Sequence, residues 1–176
     1  MKIEGISLQD LALLICDYLA KNTIEVILTG GACVAIYAVD KYVSYDLDFV
    51  LLSYTSRKKV KSLLERIGFR QERRHFKHVD TPFLVEFLAP PLSIGEEPPL
   101  EISEIYKGDR VLRLLSPTDC VKDRLAAYYH WNDKQSLAQA MLVCRDKDID
   151  MDELERWSIH EGMKSEFDKI KFQLQK

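Results

Sequence analysis

The chain has 176 residues, of which 47% are hydrophobic and 30% are charged, and its formal net charge is −3. This length suits one ordinary domain, or a compact α/β domain with a small helical appendage, and the composition is that of a soluble globular protein with enough apolar material for a core. No run approaches the roughly 20 apolar residues that cross a bilayer, and the first five residues lack the regions of a secretion signal, so we expect a cytoplasmic protein without membrane contact.

The first half of the chain is predicted to alternate helices with strands. Apolar residues at helical spacing predict helices over residues 7–22, 32–39 and 56–67, and β-branched or continuously apolar runs predict strands over residues 24–28, 45–52 and 83–88. Ser7 is expected to cap the first helix, with Asp10 as its capping-box partner. Residues 69–79 are interpreted as one irregular strand or two short ones.

The second half of the chain is predicted to be mostly helical. Four prolines predict an irregular loop over residues 89–99, and residues 102–106 and 111–115 form a plausible hairpin. Beyond Ser116-Pro117, the pattern predicts helices over residues 119–130, 134–144, 151–160 and 163–174. The order of elements predicts an α/β (α+β) fold in which a small mixed sheet is flanked by helices, with a core over residues 1–115 and a helical segment over residues 116–176 packed on it.

The charge is unevenly distributed along the chain. Residues 57–78 contain nine Lys or Arg and two Glu, so this segment carries a net charge of +7 and the rest of the chain −10. We name residues 57–78 the basic segment. A solvated helix face is the commoner explanation of such a run, and the alternative is a surface for an NTP or a nucleic acid.

The residues that point to chemistry surround Gly30-Gly31. A glycine pair between a strand and a helix allows a ligand to approach the backbone, and the start of the helix favours a phosphate. Asp46 and Asp48 are two residues apart on a predicted strand, so their carboxylates share one face and can bind Mg²⁺. Glu86 is the single acid in an apolar strand and the natural third carboxylate if its strand lies beside theirs, and the three can then hold two metal ions.

Gly30-Gly31, Ser44-x-Asp46-x-Asp48 and a lone acid on a later strand together resemble the nucleotidyltransferase superfamily, which has the polymerase-β-like fold. The double glycine and the Asp-Leu-Asp-Phe run are most similar to the branch of AbiEii-type toxins and related bacterial proteins. The resemblance covers roughly residues 24–90. It implies transfer of a nucleoside monophosphate from an NTP to a hydroxyl group, with Asp46, Asp48 and Glu86 as catalytic metal ligands for Mg²⁺ or Mn²⁺, and Gly30, Gly31 and Ser44 near the triphosphate.

Two positions depart from that branch. Its toxins often carry Arg two residues before the Ser or Thr, where this chain has Tyr42, and they place Lys before Leu-x-Ala, where this chain has Arg124. Arg124 can hold a phosphate bidentately but does not replace a lysine that acts as a point charge. Lys122 and Arg124, near the start of a predicted helix, are the further candidate nucleotide-binding residues.

The sequence therefore predicts a metal-dependent nucleotidyltransferase that acts on RNA or protein, in a toxin–antitoxin or phage-defence system with a cognate antitoxin or another neighbouring gene product as partner. Two alternatives remain open at this point. One is a nucleotide-binding or partner-binding protein of the same fold with weak catalysis, and the other is a nucleotidyltransferase for a small molecule.

Overall fold

The structure is a computed structural model that describes residues 3–175, and its central element is a seven-stranded mixed sheet. The strands are β1 (Val26–Thr29), β2 (Asp46–Leu51), β3 (Arg70–Glu72), β4 (His75–Lys77), β5 (Leu84–Leu88), β6 (Ile102–Lys107) and β7 (Arg110–Leu115). Their order across the sheet is β3-β4-β5-β2-β1-β7-β6. The pairs β2/β5 and β1/β7 are parallel and the other pairs are antiparallel, which confirms the predicted mixed sheet.

Seven helices flank this sheet within the described part of the chain. They are α1 (Leu8–Lys21), α2 (Gly30–Tyr37), α3 (Arg57–Arg66), α4 (Pro117–Trp131), α5 (Lys134–Asp146), α6 (Met151–His160) and α7 (Lys164–Leu174). One apolar cluster joins the helices to the sheet, because the apolar faces that the sequence predicts are buried against one another. No helix in residues 3–175 combines the length and the apolar character needed to cross a membrane.

Three local predictions are refined by the structure. Helix α2 begins at Gly30 rather than at Ala32, so the glycine pair forms the first turn of the helix. Ser7 accepts a hydrogen bond from the Asp10 amide at 3.1 Å, but the Asp10 carboxylate pairs with Lys107 at 2.6 Å instead of returning to the cap. The segment over residues 69–79 forms the two short strands β3 and β4.

The helices after residue 116 are anchored to the rest of the chain by buried side chains. Trp157 in α6 is fully buried, and its indole nitrogen donates a hydrogen bond to the Ile94 carbonyl at 3.3 Å. Ile94 lies in the proline-containing loop that follows β5. Because a buried indole N–H needs an acceptor, this contact holds the loop against the helical segment.

Candidate active site

The three predicted carboxylates lie on one face of the sheet. Asp46 and Asp48 occupy alternate positions of β2, and β5 is the parallel neighbour of β2 with Glu86 opposite Asp48. Because side chains on a strand alternate between faces, and directly paired residues share a face, all three carboxylates point to the same side. The strand of Glu86 therefore lies beside the strand of the two aspartates, as its prediction as the third carboxylate requires.

The glycine pair makes room for side chains of the chain itself. A Cβ atom on Gly30 would lie 2.9 Å from Asp48 Oδ2, and one on Gly31 would lie 3.2 Å from the Tyr42 hydroxyl and 3.4 Å from Ser44 Oγ. The glycine pair is predicted to let a ligand approach the backbone, but part of that space is filled by Asp48, Tyr42 and Ser44. The glycines allow these three polar groups to gather at the start of α2.

Gly30 also has a backbone conformation that other residues adopt only with strain, with φ at +69°. We expect Gly30→Ala to destabilise the protein by about 2 kcal/mol or more, because the strained backbone and the contact with Asp48 both add to the cost. Gly108→Ala is the matched control, since Gly108 has φ at +59° with no atom within 4 Å of an added Cβ. Urea denaturation measures the loss of unfolding free energy in each variant, and the difference between Gly30→Ala and Gly108→Ala gives the cost of the contact with Asp48. Equal losses in the two variants would contradict the role of Gly30.

Ser44 fixes the start of the carboxylate strand. Its hydroxyl donates to the Asp46 carbonyl at 3.0 Å and accepts from the Asp46 amide at 3.3 Å. Both bonds are made to the backbone of Asp46, two residues ahead. Ser44 therefore orients the residue that carries the more exposed of the two aspartates.

The electrostatic environment differs between the carboxylates. Burial, and then the nearby charges of Glu86 and Asp46, raise the pKa of Asp48 to about 6, while Arg124 opposes the shift. Glu86 lies beside the opposite charge of Arg74, whose Nε is 3.4 Å from Glu86 Oε2, and His75 Nε2 lies 3.3 Å from the same oxygen. Within residues 3–175 no Lys, Arg or His nitrogen lies within 4.0 Å of the Asp48 carboxylate.

This arrangement can be compared with the requirements of a divalent cation. Among the described residues, no three His, Cys, Asp or Glu side chains stand grouped as a ready-made metal site. Asp46 and Asp48 nevertheless fit a cation, because oxygen ligands suit Mg²⁺ and the repulsion at Asp48 is relieved by a positive charge. For Glu86 to serve as a third ligand, its carboxylate would have to leave Arg74 and His75.

Arg124 belongs to a polar network beside the carboxylates. Its guanidinium donates to Asp123 Oδ2, at 2.6 Å from Nη2, and to Gln139 Oε1 at 3.3 Å. Gln139 in turn donates to the Tyr42 hydroxyl at 3.0 Å. In the sequence Tyr42 stands out only as a departure from the AbiEii-type pattern, and Gln139 carries no signal. A long-range pairing of this kind has no local sequence pattern.

Lys122, the other candidate phosphate contact of α4, does not face the carboxylates of the sheet. Its side chain is 1% exposed, and its ammonium group pairs with Asp119, at 3.3 Å, and with Glu153 of α6. Although Lys122 is two residues from Arg124, two helical residues so spaced lie on different sides of the helix. The structure brings Arg124 toward the carboxylates and turns Lys122 into the interior between α4 and α6.

The basic segment is at the surface. All nine of its Lys and Arg residues are exposed, on α3 and on the β3–β4 hairpin. Three of them pair with acids, namely Lys61 with Glu65, Lys77 with Glu72, and Arg74 with Glu86. Arg74 therefore links the basic segment to the third carboxylate.

Solved structures share this arrangement of elements. An antigenic nucleotidyltransferase-like protein from Paracoccidioides brasiliensis matches with a TM-score of 0.59 and 13% identity, over 81% of this chain and 77% of that protein. The solution structure of the antibiotic-resistance factor ANT(2'')-Ia matches with a TM-score of 0.52 and 14% identity, over 96% of both chains. The crystal structure of ANT(2'')-Ia in complex with adenylyl-2''-tobramycin matches with a TM-score of 0.50 and 16% identity, over 77% of this chain and 88% of that chain.

No protein-family model matches the sequence, and no curated protein matches it either. At 13–16% identity the likeness to solved structures is a likeness of fold. The chain has a nucleotidyltransferase-like fold, as the sequence predicted.

Proposed function

We propose that this protein is a metal-dependent nucleotidyltransferase that moves a nucleoside monophosphate from an NTP to a hydroxyl group. The observation that carries the proposal is the set of Asp46, Asp48 and Glu86 on one face of β2 and β5, beside the start of α2. The nucleotidyltransferase-like fold of the neighbouring structures supports it. The raised pKa of Asp48 supports it as well, because burial and the charges of Glu86 and Asp46 disfavour its carboxylate, and a bound cation would relieve this repulsion.

The proposed roles follow from where each group lies. Asp46 and Asp48 would hold Mg²⁺, or Mn²⁺ in its place, with Glu86 as a third ligand. The metal ions supply charge neutralisation at the phosphates and a more acidic acceptor hydroxyl. The backbone N–H groups of Gly30 and Gly31, at the start of α2 with no side-chain cap, would bind the triphosphate.

Arg124 and Tyr42 are proposed to contact the phosphates from the other side. Arg124 is oriented by Asp123 and Gln139, which leaves its position defined before a ligand arrives. The Tyr42 hydroxyl accepts its hydrogen bond from Gln139, so its own proton is free to be donated to a phosphate oxygen. The AbiEii-type toxins have other side chains at these two positions, so the phosphate contacts that we propose for Tyr42 and Arg124 are particular to this chain.

The acceptor that we propose is RNA. The basic segment supports it, because an exposed run with a net charge of +7 attracts a polyanion and Arg74 connects this surface to Glu86. The resemblance to AbiEii-type toxins adds the proposal that the protein acts in a toxin–antitoxin or phage-defence pair. A protein acceptor would use the same carboxylates without the dependence on the basic surface.

The proposal is tested by incubating the purified protein with each α-labelled NTP, Mg²⁺ and either total RNA or cell lysate. We expect label in RNA, loss of label with EDTA or with Asp46→Ala, and a steep loss of labelling as salt is raised from 50 to 200 mM. Label in a protein band that persists at high salt would indicate a protein acceptor. Absence of labelling with every NTP and acceptor would contradict the proposed activity.

A second candidate is transfer to a small molecule. It is favoured by the match to ANT(2'')-Ia, whose crystal structure is a complex with adenylyl-2''-tobramycin. The same assay with a panel of hydroxylated small molecules, read by mass spectrometry, separates the two. A third candidate, nucleotide binding with weak catalysis, is supported by the contacts that hold Glu86 on Arg74 and His75. Calorimetry that detects NTP binding without turnover would favour it.

A further inference from the structure

A pocket that borders Glu86 but is not lined by Asp46 or Asp48 lies under the loop that joins β2 to α3. It has a volume of about 190 Å³. Its wall is formed by Leu51, Val60, Phe76 and Phe87, and Arg57 and Arg74 stand among the polar residues that line it. The volume is several times the ~30 Å³ of one water molecule in the liquid, so the pocket can hold a small organic molecule.

The apolar wall of the pocket is built from well-packed residues. Phe76 is 5% exposed, Leu51 6% and Val60 2%. Phe87 packs edge-on against Phe76, with ring centroids 5.7 Å apart, and stacks on Phe49 at 5.8 Å. Aromatic rings fixed in this way form a preformed surface for a flat or aliphatic group, since the rings themselves do not have to be ordered on binding.

The charge of the pocket is positive. Arg57 has no Asp or Glu oxygen within 4.0 Å among residues 3–175, and Arg74 has only Glu86, which His75 also contacts. Ser56, the cap of α3, is followed by no acidic residue in the first turn of that helix. An anionic group is therefore the ligand feature that this pocket complements, because a neutral apolar molecule would leave Arg57 unused.

The phenylalanine rings of the pocket and the two aspartates lie on opposite faces of the sheet. Phe87 follows Glu86 directly on β5, and Phe49 follows Asp48 directly on β2, so the rings and the carboxylates point to opposite sides. Glu86 and Arg74, which touch each other and both contribute to the lining, mark where the two regions meet. A ligand against the phenylalanine rings would not occupy the place of Asp46 and Asp48.

We propose that this pocket is a second binding site, for a small organic anion in which an apolar body carries one carboxylate, sulfonate or phosphate group. The apolar body lies against Phe76 and Phe87, and the anionic group lies between Arg57 and Arg74. The site borders the proposed transferase site at Glu86 and Arg74, but neither Asp46 nor Asp48 lines it, so ligand binding can be measured apart from transfer.

The test uses 1-anilinonaphthalene-8-sulfonate, which combines an aromatic body with one sulfonate. Titration followed by fluorescence is expected to show one saturable site with a Kd below 1 mM. Arg57→Gln is expected to weaken binding by about tenfold, because a charge-assisted hydrogen bond is lost. Ala89→Trp, at an exposed position of the pocket lining, is expected to block binding without disturbing the core.

Two controls make the result specific. Arg66→Gln removes the same charge from an exposed position at the far end of α3 and should leave the Kd within twofold of the wild type. Asp46→Ala should also leave it unchanged, so the site can stand even when the transferase proposal fails. Chemical-shift changes in ¹⁵N spectra should centre on residues 51, 60, 76 and 87. Shifts elsewhere, or equal weakening by Arg57→Gln and Arg66→Gln, would overturn the proposal.

Discussion

Asp48→Asn is expected to abolish nucleotidyl transfer while making the folded protein more stable. If Asp48 binds the metal as proposed, its loss should lower turnover in the proposed reaction by about 10³-fold or more, the scale on which electrostatic stabilisation contributes to such reactions. The same change removes a charge that the fold buries beside Glu86 and Asp46. Stability and activity are thus opposed at this residue, as is common at functional sites.

The sign of the stability effect follows from the pKa of Asp48, which folding raises from 3.8 to about 6. Between these values the folded state binds more protons than the unfolded state, so stability falls as pH rises from about 4 to above 6. A shift of about two pKa units corresponds to about 3 kcal/mol as an upper limit. We therefore expect Asp48→Asn to gain about 1–3 kcal/mol at pH 8 and less than about 1 kcal/mol at pH 4.

Chemical denaturation at the two pH values measures this gain, with Asp109→Asn as the control because it removes the same charge from an exposed turn. Mg²⁺ should stabilise the wild type at pH 8, since a ligand that binds only the folded state shifts the equilibrium, and it should stabilise Asp48→Asn much less. This readout of metal binding is independent of any acceptor. Equal stabilisation of both proteins by Mg²⁺ would remove Asp48 from the metal site.

Lys122→Met is expected to destabilise the protein by about 3–5 kcal/mol, because it leaves buried acids without their cation. Asp119 is fully buried, and its Oδ1 atom has no hydrogen-bond donor in the described part of the chain other than the facing Lys122 ammonium, 3.3 Å away. Its Oδ2 atom accepts from the Glu101 amide at 3.0 Å and from Ser116 Oγ at 3.1 Å. Asp119 thus connects α4 to Glu101, the residue that precedes β6, through a hydrogen bond.

Glu153 extends this cluster to α6. Arg156, and then Lys122, hold the pKa of Glu153 at about 2 against the effect of burial. The double variant Asp119→Asn/Lys122→Met should recover part of the stability, since it removes both charges, whereas Lys134→Met on the exposed start of α5 should cost less than 0.5 kcal/mol. Thermal and urea denaturation provide the measurement. A cost below 1 kcal/mol for Lys122→Met would show that water reaches Asp119.

Several features of the site could be predicted because they depend on local patterns. Asp46 and Asp48 are two residues apart on a strand, and this spacing alone places them on one face. Glu86 stands out because a single acid interrupts an apolar strand. The start of a helix after a buried strand could be predicted at Gly30-Gly31, although the structure assigns these glycines to making room for Asp48, Tyr42 and Ser44.

Other features could not be predicted because they depend on the register and packing of distant segments. Glu86 contacts Arg74 and His75 only because β4 pairs antiparallel with β5 in one particular register. Lys122 and Arg124 are equally plausible phosphate contacts in the sequence, and the orientation of α4 separates them. Arg124 faces Gln139 and Tyr42, while Lys122 faces Glu153, which is 31 residues away along the chain.

The sequence by itself determined the type of each element, the mixed sheet flanked by helices and the two aspartates of one strand, because hydrophobic periodicity and residue spacing act over a few residues. Only the tertiary structure decided that Glu86 lies beside Asp48, that Arg74 and His75 contact it, and that Tyr42 joins Arg124 through Gln139. These contacts bring together residues from separate strands and helices, and their positions follow from how the whole core packs. The pocket beneath the loop between β2 and α3 has the same origin.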